Sequence, residues 1–132
     1  MRKILLMVIT ISLFSCHFVS ANDRVIVTTS DFSSGSLASV DLATDHASLN
    51  ILNIHSDADA RTYQGKLYIV NREGQDNILV LDGDDLSTPL TQFSVGNGTN
   101  PQDIVFTTAT RAYVSRRAST HLLIVNPTTG DS

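Results

Sequence analysis

A pattern that recurs at a spacing of just over forty residues constrains this chain more than anything in its composition. Arg24-Val25-Ile26-Val27-Thr28, Lys66-Leu67-Tyr68-Ile69-Val70 and Arg111-Ala112-Tyr113-Val114-Ser115 each open on a basic residue and continue as a short β-rich run. Arg24 and Lys66 lie 42 positions apart, and Lys66 and Arg111 lie 45 apart. A second pattern recurs inside each unit. Residues 36–41, 77–82 and 121–126 are apolar runs ending at Asp41, Asp82 and Asn126. Asp and Asn suit such an end because their side chains accept hydrogen bonds from the backbone of the turn that follows.

Repeats of about 40–50 residues built from short strands are the signature of blades stacked around a ring. Residues 49–54 and 90–95 supply outer strands, and 61–64 and 103–107 supply short inner strands ahead of the next repeat. Gly65 and the pair Ala109-Thr110 mark tight turns, and 96–101 is a loop by composition. No window after residue 22 has the 3.6-residue periodicity of a helix. The expected fold is therefore all-β, a β-propeller segment of about two and a half four-stranded antiparallel blades. Blade 1 spans about 24–56, blade 2 about 57–99 and blade 3 about 100–132. On this register the inner strand of blade 1 and the outer strand of blade 3 are absent. Rings typically close with about four to eight blades. The expectation is accordingly a fragment of a longer propeller, or an arc that closes by self-association through its open blade edges.

The segment Gly98-Thr99-Asn100-Pro101-Gln102-Asp103-Ile104-Val105-Phe106, followed by Arg111-Ala112-Tyr113-Val114-Ser115, resembles the YVTN-type, WD40-like β-propeller repeat. So do Lys66-Leu67-Tyr68-Ile69-Val70-Asn71 and Asn77-Ile78-Leu79-Val80-Leu81-Asp82. The first unit departs from the pattern, because Val25-Ile26-Val27 lacks the Tyr. The resemblance covers about residues 24–132 and implies a propeller of the kind found in bacterial surface, periplasmic and lipid-anchored proteins.

The N-terminus is of a different character. Arg2 and Lys3 precede an uncharged, mostly apolar run of eleven residues, 4–14, and the first acidic residue is Asp23. That order is a secretory signal over residues 1–21, and the run is shorter than the roughly 20 residues a bilayer span needs. Two processing routes stand open. Val19-Ser20-Ala21 suits cleavage after Ala21, whereas Leu13-Phe14-Ser15-Cys16 resembles a lipobox that would lipidate Cys16. The expected location is the periplasm or a lipid anchor on the bacterial membrane, alternatively secretion. Cys16 is the one cysteine, so no disulfide forms within the chain. Loss of Arg2 and Lys3 takes the net charge from -4 to -6, a sign that argues against nucleic acid and leaves lipidation as the only hold on a membrane.

Few residues announce chemistry. Asp57, Asp59 and Arg61, with Asn100, Gln102 and Asp103, are expected on loops around the inner strands, where propeller ligands sit. The carboxylates Asp57, Asp59 and Asp103 are candidate ligands for a hard cation such as calcium, set against plain loop polarity. Asp82-Gly83-Asp84-Asp85 is the densest acidic cluster and reads first as a polar turn. His46, His55 and His121 are scattered, without the paired spacing zinc needs. Tyr68 and Tyr113 hold equivalent repeat positions and are expected to pack between blades, while Tyr63 offers an aromatic platform. Arg72, Glu73 and Asp76 are expected to be solvated, as are Arg116 and Arg117. The chain lacks a nucleophile elbow, a dinucleotide fingerprint and a P-loop. Asn97-Gly98-Thr99 forms a glycosylation sequon. The functional expectation is a scaffold that binds a protein or a small molecule without catalysis or cofactor. The alternative is part of a propeller enzyme, a lactonase-like hydrolase or lyase with a metal or acid/base site at the channel mouth.

Overall fold

A computed structural model of the chain describes residues 23–132. The expected signal, Cys16 and Ala21 lie outside those residues. Ten strands form three antiparallel sheets, and no helix occurs among the described residues. The first sheet holds β1 (Arg24–Ser30), β2 (Gly35–Asp41) and β3 (Ala47–Ile54). The middle sheet holds β4 (Ala58–Tyr63), β5 (Lys66–Asn71), β6 (Asn77–Asp82) and β7 (Pro89–Ser94). The third holds β8 (Pro101–Thr108), β9 (Arg111–Arg116) and β10 (Leu123–Val125). Within each sheet every strand pairs with its neighbour in sequence, so each sheet is a meander.

The repeat fixes the register as well as the strands. In the middle sheet Leu67 faces Leu81 and Ile69 faces Leu79. The matching positions pair in the first sheet, Val25 with Val40 and Val27 with Ala38. They pair again in the third, Ala112 with Val125 and Val114 with Leu123. A slip of one residue would turn every apolar side chain to the wrong face. Three copies of one register therefore mean three copies of one set of faces.

Two apolar layers result. Leu67, Ile69, Leu79 and Leu81 pack toward Leu37, Ile51, Leu52 and Ile54 of the first sheet. Tyr68, Val70, Ile78, Val80 and Phe93 pack toward Ile104, Ala112, Val114 and Val125 of the third. Successive residues of a strand point to opposite faces. A sheet covered on both sides must then be apolar at every position, which is why β5 and β6 are unbroken hydrophobic runs.

The inner strands begin earlier than their composition suggests. β4 starts at Ala58 and β8 at Pro101, so Asp59 and Gln102 stand in strands and not on loops, beside Arg61 and Asp103 at the expected strand starts. Asp disfavours strands in general. Here Asp59 faces Val70, and Asp103 faces Ser115 next to a register shift in its ladder, and the two carboxylates share the Arg61 guanidinium. Conversely, β10 is only three residues long. The Ser119 hydroxyl takes up both the amide and the carbonyl of His121, leaving neither for the ladder.

Candidate functional site

Because the strands alternate in direction, the connections separate onto two rims. One rim carries the short hairpins and the turns after β2, β6 and β10. Asp41 accepts the amides of Ala43 and Thr44, both at 2.9 Å. Asp82 accepts the Asp84 amide at 2.9 Å, and Asn126 accepts the Thr128 amide at 3.0 Å. Asp85 accepts the Ser87 hydroxyl at 2.7 Å and its amide at 2.9 Å. The Ser87 hydroxyl first, then the backbone amides, hold Asp85 down to about 2 from an ordinary 3.8. The acidic cluster at 82–85 thus stabilises turn backbone, as its sequence suggested.

The three carboxylates singled out for a cation are engaged by arginine. Arg61 lies between two of them, with Nη2 at 3.0 Å from Asp59 Oδ2 and Nε at 2.8 Å from Asp103 Oδ1. The hydrogen bond to Asp103 leads the effects that hold the Arg61 guanidinium above its ordinary value, against the opposing pull of desolvation. Asp59 and Asp103 also accept the next amide in their own strands, from Ala60 and Ile104, each at 2.8 Å. Asp57 is paired with Arg72. Calcium requires about six to eight oxygen ligands. Here the chain supplies the positive charge itself, and no group of three or more His, Cys, Asp or Glu among the described residues is placed to hold a metal ion.

The other rim carries the connections β1–β2, β3–β4, β5–β6, β7–β8 and β9–β10, and it is open. A polar hollow of about 690 Å³ is lined by Glu73, Asp76, Asn97, Asn100 and Arg117 among others. A second, of about 510 Å³, is lined by Ser30, Phe32, His55, Ser56, Asp57 and Glu73. Glu73 borders both, so the hollows form one run across the rim. It spans loops from all three sheets.

Two residues give this rim its shape, and neither was expected to matter. Asp76 is buried, at 4% exposure, and is not solvated. Its carboxylate accepts the Gly98 and Asn100 amides, both at 2.7 Å, and its carbonyl accepts the Val95 amide. It ties the β5–β6 hairpin to the crossing between the middle and third sheets. Phe32 is the converse. It is 96% exposed with φ of 69°, a conformation uncommon for a bulky residue. The turn holds it there. Asp31 accepts the amides of Ser33 and Ser34, and the Ser30 hydroxyl accepts the Phe32 amide.

The remaining expectations divide. Tyr68 is buried between sheets and meets Phe106 at 4.5 Å between ring centroids, while Tyr63 stacks on the same Phe106 at 4.6 Å. Tyr63 is therefore a packing residue as well. Tyr113 is half-buried on the outer side of the third sheet, beneath the Arg111 guanidinium. His55 accepts the Asp57 amide through Nδ1, so it orders the β3–β4 crossing. Arg116 is not solvated: its Nη1 donates to the Val95 carbonyl and its Nε is buried. Arg117 does reach the rim hollow. A lone Phe between Asp and Ser was the only sign of the exposed ring, and Asp76 carried no sign at all. Against known proteins, no family model and no curated sequence matches this chain.

Proposed function

We propose that this chain is an exported β-propeller repeat protein of the YVTN-type kind, and that its open rim is a binding scaffold. Its mature part would lie in the periplasm, or on the membrane through a lipid on Cys16. The order of basic, apolar and small residues at the N-terminus supports export. The identical register in three successive sheets supports the repeat reading.

The observation that carries the binding role is Phe32. An aromatic ring exposed at 96% and held in an uncommon backbone conformation beside a polar hollow has no packing function. Strained residues cluster at ligand sites, and aromatic side chains dominate binding energies at interfaces. Phe32 offers the rim an aromatic anchor among carboxylate, amide, hydroxyl and guanidinium groups. It suits a ligand that is mainly polar and carries one apolar group.

Peptide and glycan arrays probed with the labelled protein test the proposal. Phe32→Ala is expected to weaken the strongest array ligand about tenfold, a loss of about 1.4 kcal/mol, and Glu73→Ala to weaken it too. Binding that survives both substitutions unchanged would place the site elsewhere.

A further inference from the structure

One dipeptide on the rim carries chemistry of its own. Asn97-Gly98 is the one Asn-Gly pair in the sequence, and both residues are exposed at the rim hollow. An asparagine side chain is open to attack by the backbone nitrogen of the residue that follows it. The nitrogen gives up its proton and bonds to Cγ, ammonia leaves, and a five-membered succinimide closes. Water then opens the ring at either carbonyl, leaving aspartate or isoaspartate. Water enters and ammonia departs, and nothing is oxidised or reduced. Glycine favours the attack because no Cβ crowds its nitrogen.

The fold withholds both things this reaction needs. The first is the proton. The Gly98 amide donates to Asp76 Oδ2 at 2.7 Å. A carboxylate on that proton opposes its loss, since the nitrogen would become an anion beside an anion. The second is the approach. Thr99 donates its amide to the Gly96 carbonyl at 3.3 Å and its hydroxyl to the same oxygen at 2.6 Å. That closes a turn with Asn97 and Gly98 at its centre. Gly98 has φ of 71° while Asn97 stays out of the left-handed region, the pattern of a type II turn. The second residue of such a turn is extended. Its backbone turns the Gly98 nitrogen away from the Asn97 Cβ, whereas ring closure needs the two eclipsed. Asp76 braces the turn too, because its Oδ1 accepts the Asn100 amide at 2.7 Å. One buried carboxylate therefore holds the chain on both sides of Thr99.

We propose that Asn97 is a latent deamidation site and that Asp76 keeps it closed. Conversion places a new carboxylate in the hollow that Glu73 and Arg117 line, so the rim changes charge through a reaction of the chain alone. The inference stands whatever the rim binds.

Peptide mapping of the full chain, incubated at neutral pH below its melting temperature, tests it with isoaspartate at position 97 as the readout. Folded wild type is expected to keep Asn97 about tenfold longer than wild type unfolded in guanidinium chloride, and folded Asp76→Ala to lose most of that factor, the scale of one hydrogen bond to a charged group. Asp82-Gly83 is the control within each sample. It closes the same ring with loss of water, and its Gly83 amide is held on the other rim by the Gly65 carbonyl at 2.7 Å. Its rate is expected to be the same in folded wild type and variant. Equal rates at Asn97 in folded and unfolded wild type overturn the proposal. So does an Asn97 as durable in Asp76→Ala as in wild type. An acceleration shared equally by Asp82 also overturns it, since that marks general loosening. Far-ultraviolet circular dichroism checks that the variant keeps its sheets. Asp76→Asn, uncharged and with a single acceptor oxygen, replaces it if it does not, with the same expectations.

Discussion

Asp76 shows how one side chain organises a rim. Asp76→Ala removes the acceptor of two amides at once, at the edge of the rim hollow. A hydrogen bond to a charged group is worth about 1.5–3 kcal/mol, and here water can replace part of what the two half-open amides lose. The expected loss is about 2 kcal/mol in urea unfolding, with faster hydrogen exchange at Gly98 and Asn100. Asp85 makes a pH-dependent contribution of the opposite visibility. Its pKa is depressed in the fold to about 2 from 3.8. The stabilisation it gives is complete above the unfolded value and is lost as pH falls through the folded one. Asp85→Asn should therefore be less stable than wild type near neutral pH, and the gap should close as pH drops below about 2. Paired urea titrations across that range check it. The two residues differ in legibility for one reason. Asp85 caps a turn three residues long, so neighbouring sequence discloses it. The partners of Asp76 lie more than twenty positions away, and nothing local marks them.

At the scale of elements, sheets are joined through aromatic rings as well as aliphatic layers. Phe106 of β8 lies against Tyr63 of β4 and Tyr68 of β5, nearly parallel to the first at 6°. Its position in sequence, three residues after Asp103, says only that it alternates with outward residues. The ring is half-buried, so Phe106→Ala should cost less than the 3–5 kcal/mol of a fully buried phenylalanine, about 2–3 kcal/mol. The near-ultraviolet dichroism of the tyrosines should fall with it, and Phe106→Leu should recover most of the stability. The strands themselves were legible because β5 and β6 are apolar throughout and end in turn-capping residues. Their neighbours β4 and β8 were underestimated at the N-terminal end. A carboxylate in a strand is discouraging until its arginine partner is known, two residues along β4 for Asp59 and in the neighbouring sheet for Asp103.

For the molecule as a whole, Arg61 is the link whose removal is most informative. It lies in β4 and reaches Asp103 in β8, joining the middle and third sheets at their inner strands. The groups are about two-fifths exposed, so solvent screening keeps the direct stabilisation under about 1 kcal/mol. The larger consequence is electrostatic. Arg61→Ala leaves Asp59 and Asp103 without their cation. Millimolar calcium is expected to raise the melting temperature of that variant by on the order of 2 °C and to leave wild type unmoved. A comparable rise in wild type would restore the carboxylates as metal ligands in their own right. The result bears on the enzyme alternative, which needs a metal or acid/base group free at that position.

The sequence alone determined the all-β class, the strands at the heart of each sheet, the turns after β2, β6 and β10, and the registration of one unit on the next. These depend on the alternation of side chains along a strand and on hydrogen bonds spanning a few residues, and both are written in consecutive letters. Only the tertiary structure decided which carboxylates face arginine, that Asp76 is buried, that Phe32 is exposed, and which apolar faces are covered. Most of those depend on what the chain brings alongside from far off in sequence. The repeat could say that Val27 and Ile69 are the same position. It took three dimensions to show that one is enclosed and the other open to solvent.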